Sequence, residues 1–230
     1  MLAILGTTVR VQANSTALIY ETGSQRKKLL YEYQLEEAAG AGSEAGTEVL
    51  KGSFQDLDGQ TVFLETAHVK GLEIQRDEVE QRQINEKAQV EVKDDKIYFS
   101  KTSQGKTSVK VEKLKAPFVM ASNFRRFVSS RWEDVQAGTK ISIRFGVWAR
   151  QETVGFDIIK IGEEKMGDQK AVLVQMKASS FFIAALVDPI LFKFSSDGTK
   201  ILEMIGRVAV KQKVGKDFKD MDADVVYSYP

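Results

Sequence analysis

Residues 117–162, PFVMASNFRRFVSSRWEDVQAGTKISIRFGVWARQETVGFDIIKIG, decide the fold class. The first part reads as a helix over Ser122–Gln136. Phe124, Phe127, Val128, Trp132 and Val135 recur every three or four residues and so form one stripe. Ser122 is placed to cap its start, and Gly138 follows its end. Arg125, Arg126 and Arg131 fall mostly off the stripe. The period then changes to two: Ile141, Ile143, Phe145 and Val147 share one face of a strand, with Arg144, Trp148 and Arg150 on the other.

Strand patterning extends outward from this stretch in both directions. Downstream, Lys170–Ala178, Ile190–Phe194, Lys200–Val210 and Val225–Tyr229 alternate between turn signals. Phe181–Val187 is a short apolar block, and the aspartates at 217, 220, 222 and 224 read as a solvated turn before the last strand. Upstream, strands are expected at Ala17–Thr22, Leu29–Leu35, Val49–Phe54, Thr61–Val69, Ala88–Lys93, Lys96–Thr102 and Thr107–Lys113. Asp58-Gly59 is a hairpin signal, because a tight turn there requires positive φ. Residues 70–90 fit either helix or strand, with strand favoured, and Glu36–Glu48 reads as a flexible Gly/Ala/Glu loop. The expectation is a mainly β fold: a strongly curved antiparallel sheet of about ten strands, half-barrel or barrel-like, with one packed amphipathic helix.

Composition narrows the function classes. Lys+Arg 33 against Asp+Glu 32 leaves no basic surplus for nucleic acid. With no cysteine, thiolate chemistry, disulfides and thiolate metal sites are excluded. Residues 1–13 read as a truncated signal peptide (Met1–Thr8 is apolar, and Val11-Gln12-Ala13 suits a cleavage site before Asn14), leaving 14–230 as a single β-rich domain. No segment approaches the roughly 20 apolar residues of a transmembrane helix.

Residues 117–229 resemble a family of uncharacterised secreted bacterial proteins. The resemblance rests on Phe124, Phe127-Val128, Trp132 and Gly138; Phe145-Gly146-Val147 with Arg150; Val154-Gly155-Phe156; Leu186–Ile190; and Gly206 with Val226-Tyr227. It implies a signal peptide, an envelope (periplasmic) location and a β-rich fold, and it implies nothing about catalysis. More distantly, the pattern is similar to periplasmic lipoprotein carriers in which a helix plugs a half-barrel.

Candidate chemistry is sparse. The single histidine, His68, has no second histidine to complete a His-based metal site, and no nucleophile motif is present. The glycines of residues 40–46 have the wrong spacing for a dinucleotide loop. Adjacent carboxylates such as Glu163-Glu164 point to opposite faces of a strand. The expectation is therefore a protein that is not an enzyme and needs no cofactor or metal. Two buried carboxylates facing one another in a cleft would reverse that expectation.

Two readings remain. In the first, a lipid-like or other apolar small molecule sits between helix and sheet. The aromatic residues Phe124, Phe127, Trp132 and Phe182 would line its cavity, and Arg144, Trp148 and Arg150 would offer guanidinium and indole contacts at the rim. In the second, the protein is a structural or interaction component of the envelope, peripherally associated, with a solid core and an exposed edge strand or apolar patch.

Overall fold

The structure is a computed structural model and describes residues 14–39, 46–180 and 188–230. Residues 1–13, the glycine-rich loop at 40–45 and residues 181–187, with Phe182, lie outside the described set.

Fifteen strands among the described residues form one sheet. The first eight run as an antiparallel meander: β1 (Ser15–Glu21), β2 (Leu29–Ala39), β3 (Thr47–Gln55), β4 (Thr61–Lys70), β5 (Glu73–Gln81), β6 (Glu86–Lys93), β7 (Lys96–Ser103) and β8 (Lys106–Lys113). A two-residue strand β9 (Phe118–Val119) and two helices, α1 (Ala121–Ser130) and α2 (Trp132–Gln136), follow. The second meander is β10 (Ile141–Val147), β11 (Glu152–Met166), β12 (Gln169–Ala178), β13 (Ile190–Ser195), β14 (Ile201–Val214) and β15 (Asp217–Ser228). Spatially the order is β8 to β1, then β15 back to β9, so β1 and β15 meet in the middle with Ala17 opposite Tyr227. All pairings are antiparallel except β9–β10.

The turns follow from backbone sterics. Gly59 adopts φ 78° in the β3–β4 hairpin, as the Asp58-Gly59 signal required. Asp94 and Asp95, at φ 52° and 55°, make the tight β6–β7 turn whose mirror-image geometry suits twisted strands. Residues 70–90 are strands, as favoured, separated by a single 3-10 turn at Arg82–Ile84. The expected terminal strand begins earlier than Val225. Asp217, Asp220, Asp222 and Asp224 belong to β15 rather than to a turn, and Asp220 and Asp222 pair with Lys211 and Arg207 across the ladder.

The sheet curls without closing. Its two ends, β8 and β9, share no ladder. Side chains instead stitch β7 and β8 to the turn after β10. Lys101 Nζ donates to the Ala149 carbonyl at 2.9 Å, and Gln151 Nε2 donates to the carbonyls of Phe99 and Ser108 at 3.1 and 2.9 Å. Thr153 Oγ1 donates to the Glu112 carboxylate at 2.6 Å. A second bridge crosses the interior from a bulge in β14. Its Ala209 carbonyl accepts from Gln81 Nε2 at 2.9 Å, and the Lys211 carbonyl accepts from Tyr31 and Gln83 at 2.7 and 2.8 Å. Val210 from this bulge is fully buried with Phe63, Val79 and Ala88.

The rest of the interior is filled by the segment between the meanders. The helix expected over Ser122–Gln136 is broken at Arg131 (φ −113°) into α1 and α2, and it starts one residue earlier. Ser122 is not its cap. The Asn123 side chain accepts from the Met120 N–H at 2.8 Å, which leaves the Ser122 hydroxyl for another partner. Gly138, at φ 73°, ends α2 as expected.

Candidate functional site

Helix α1 lies between two walls and presents a different face to each. Its apolar face meets β10–β14: Phe124, Phe127 and Val128 pack with Ile141, Ile143, Val174, Met176 and Phe192. The Phe124 and Phe192 rings stack with centroids 4.6 Å apart. In α2 the Trp132 ring lies 5.5 Å from that of Phe194, and its indole N–H donates to the Ser196 carbonyl at 3.1 Å. The aromatic stripe is therefore consumed by packing, with Phe124 only 4% and Phe127 only 7% exposed.

The other face of α1 is polar and meets β2–β5. Arg125 donates to Glu37 at 2.6 Å; Arg126 donates to Glu37 at 2.8 Å and to Glu48 at 2.9 Å. The two guanidiniums hold the Glu37 carboxyl below its ordinary value despite the cost of its burial, and the same contacts raise Arg126. These arginines do not form a basic patch. Arg131, the third, is exposed and paired with Asp134 at 2.6 Å.

Near the start of α1 the same wall carries an uncompensated acid pair. Ser122 Oγ donates to Asp77 Oδ2 at 2.7 Å. Asp77 is fully buried, and its other oxygen finds no donor unless a carboxyl supplies one. Glu65, half-buried on β4, lies diagonally across the β4–β5 ladder on the same face as Asp77, placed to donate to that oxygen when protonated. Two carboxyl groups can hydrogen-bond only if one is protonated. Burial, and then repulsion from Asp77, pushes Glu65 well above its ordinary value, and burial raises Asp77 to about 6. No ion pair joins either group to a basic side chain among the described residues. Tyr33, whose hydroxyl lies over the bare backbone of Gly52, is also raised, by burial and by the Glu65 charge.

Sequence reasoning missed this group. The available signal was Glu65 in phase with Phe63, Ala67 and Val69 along β4, a carboxylate on the apolar face of an alternating strand. Two open hollows of the described residues have linings that include neither Glu65 nor Asp77. The larger, about 500 Å³, lies on the outer face of β4–β7 and is lined by residues including Leu64, Glu78, Glu80, Lys87 and Gln89. The smaller, about 250 Å³, is lined by residues including Glu37, Arg125, Lys200 and Tyr229.

The expected rim residues are scattered. Arg144 turns back on β11, donating from Nη2 to the Thr153 carbonyl at 2.6 Å. Trp148 leaves the strand and packs towards the β2–β5 wall, its ring 6.3 Å from Phe63. Arg150 is exposed and pairs with Glu152 at 2.7 Å. Strand β10 ends at Val147, so the alternation that placed the three residues on one face stops before Trp148. Phe124, Phe127 and Trp132 are brought together, but as packed core. His68 sits on β4 without a metal-ligating neighbour group, and no cluster of three or more His, Asp or Glu able to hold a metal occurs among the described residues.

Outside, β8 forms one end of the sheet. Its side chains are nearly all exposed, with Val109 60% and Val111 50% accessible. Val109 lies opposite Ser100, which lines the larger hollow, so edge and hollow form one continuous surface. No helix of the described residues is long and apolar enough to cross a membrane.

No family model and no curated protein matches the chain. Among solved structures, the chain is similar to a beta-barrel-like protein with a domain of unknown function, DUF1849, from Brucella abortus, at 12% identity, TM-score 0.46, over 94% of this chain and 96% of that one. It is also similar to a DUF1329 family protein from Desulfovibrio piger, at 10% identity, TM-score 0.28, over 94% and 82% of the two chains. A third similarity is to a porin-like protein from Bacteroides uniformis, at 7% identity, TM-score 0.26, over 95% and 98%.

Proposed function

We propose that this is a non-enzymatic interaction protein of the bacterial envelope, acting in the periplasm through its outer surface. The observation that carries this reading is the edge strand β8: eight residues with no strand neighbour on one side among the described residues, exposing Val109 and Val111 at alternate positions beside an open groove. An extended polypeptide fits such a surface, because the edge offers main-chain hydrogen bonds while the valines and groove meet every second side chain. Lys106, Lys110 and Lys113 deter edge-to-edge pairing of two copies and favour a partner segment carrying acidic residues. The envelope location rests on the apolar residues at 1–8 and on the family resemblance. The carrier reading has the packed α1 interface against it, since Phe124 and Phe192 occupy the space that an apolar ligand would need.

The test is site-specific photo-crosslinking in the native cell from positions 109 and 111, with Val214, an exposed apolar residue on β14, as the control. Discrete adducts at 109 and 111 but not 214 are expected. Their absence, together with a lipid or other apolar mass retained in native mass spectrometry, would overturn the interaction reading in favour of the carrier.

A further inference from the structure

Helix α1 is attached to the β2–β5 wall at two points of opposite character. Towards its middle the attachment is ionic: Arg125 and Arg126 on Glu37 and Glu48. At its beginning Asn123 Nδ2 donates to the Leu72 carbonyl at 2.8 Å, and Ser122 donates to Asp77. Glu65 on the adjacent strand lies diagonally across the β4–β5 ladder, where Ala67 opposes Asp77 and Glu65 opposes Val79, and a proton on Glu65 would complete a contact to the otherwise unpartnered Asp77 Oδ1. The start of the helix thus rests on a carboxyl–carboxyl contact that holds together only with a proton in it.

We propose that Glu65 and Asp77 form a one-proton latch on the N-terminal end of α1, which holds the helix to the β4–β5 wall while the proton is shared and releases it when the proton is lost. The groups facing the pair strengthen this. Ser122 from α1 donates to it, and Tyr33 from β2 brings a neutral hydroxyl. Glu78, next along β5, adds a like charge that disfavours ionisation of Asp77. The nearest cationic groups of α1, Arg125 and Arg126, are already occupied by Glu37 and Glu48. With both carboxyls ionised, two negative charges would face each other in a buried site without a counter-charge.

The sign follows from the raised values. A carboxyl whose folded-state value lies above its unfolded one contributes its stabilisation in full below the unfolded value. That contribution is lost as pH rises through the folded value. Asp77, raised to about 6, ionises first and leaves the shared proton on Glu65, so release is expected on the alkaline side of pH 6, as Glu65 gives up that proton.

The test is hydrogen–deuterium exchange of the full chain at pH 6, 7, 8, 9 and 10, with rates normalised to those of unstructured peptides. In the wild type, protection of residues 118–124 is expected to fall by about 10–100-fold between pH 6 and pH 10, as losing one proton changes the opening equilibrium by up to tenfold per pH unit. Protection of β12, on the far wall, should stay constant. Glu65→Gln keeps a permanent donor beside Asp77 and is expected to remove the pH dependence while leaving the segment protected. Asp77→Asn should remove it by a different route. A flat wild-type profile would overturn the latch, as would an unchanged slope in Glu65→Gln or a loss of protection shared equally by β12.

Discussion

The two walls that enclose α1 are built on opposite principles. The β10–β14 wall meets the helix with Ile, Val, Met and Phe, whereas the β2–β5 wall meets it with Glu37, Glu48 and Asp77, with Glu65 beside Asp77. The apolar contact is non-directional and scales with area removed from water. The polar contact depends on geometry and on charge state, because each buried group must find a partner. One wall supplies adhesion. The other fixes the helix's rotation and register, at the cost of sensitivity to protonation.

Substitutions on the two walls should separate these contributions. The largest effect is expected from Phe192→Ala on the apolar wall, which deletes the ring stacked on Phe124. Denaturant unfolding should show a loss of about 3–5 kcal/mol, the usual range for a buried phenylalanine. Gly198→Ala comes next. A Cβ there would overlap the Trp132 ring, and the position has φ 72°, so overpacking and strain should together cost about 1–3 kcal/mol, read by the same unfolding curve.

On the polar wall, Arg126→Met should cost about 1–2 kcal/mol, below the usual figure for hydrogen bonds to charged groups because both partners remain partly exposed and Arg125 still reaches Glu37. The pH dependence carries a distinct signature. Glu37 is depressed, so its contribution is present above the ordinary carboxylate range and lost as pH falls through its lowered value. Arg126→Met should flatten the acid limb of stability against pH, and Glu65→Gln the limb above about pH 6. At the bottom of the scale, Arg131→Ala should change stability by less than about 0.5 kcal/mol, since its pair with Asp134 is exposed.

The same contrast explains what can be read in advance. The second meander is legible because Ile141, Ile143 and Phe145, then Val172, Val174 and Met176, alternate with few exceptions. The first meander breaks its own pattern. In β5 the inward positions are Ile74, Asp77, Val79 and Gln81. A bulge places Val69 opposite Ile74 but His68 opposite Arg76, which shifts the phase midway. A strand that turns acids inward and changes phase looks like neither period, which makes residues 70–90 ambiguous between helix and strand. The scattered rim residues have a similar cause: alternation predicts a face only while the strand lasts, and β10 stops one residue before Trp148. The fifteen strands exceed the roughly ten expected because short pieces such as β9 and the bulged β5 carry weak signals.

The junction of β1 with β15 has a consequence for how the chain acquires this shape. Every other neighbouring pair except β9–β10 is a local hairpin or a short connection, but β1 waits for a strand separated from it by nearly the whole chain. The first meander can zip up early, whereas the central seam closes only when the last strand arrives, and such distant pairing is intrinsically slow. Until then β1 presents an open edge with Leu18 and Tyr20 on one side and Ala17 and Ile19 on the other. The seam at the middle of the finished sheet is therefore the part most open to mispairing while the molecule is being made.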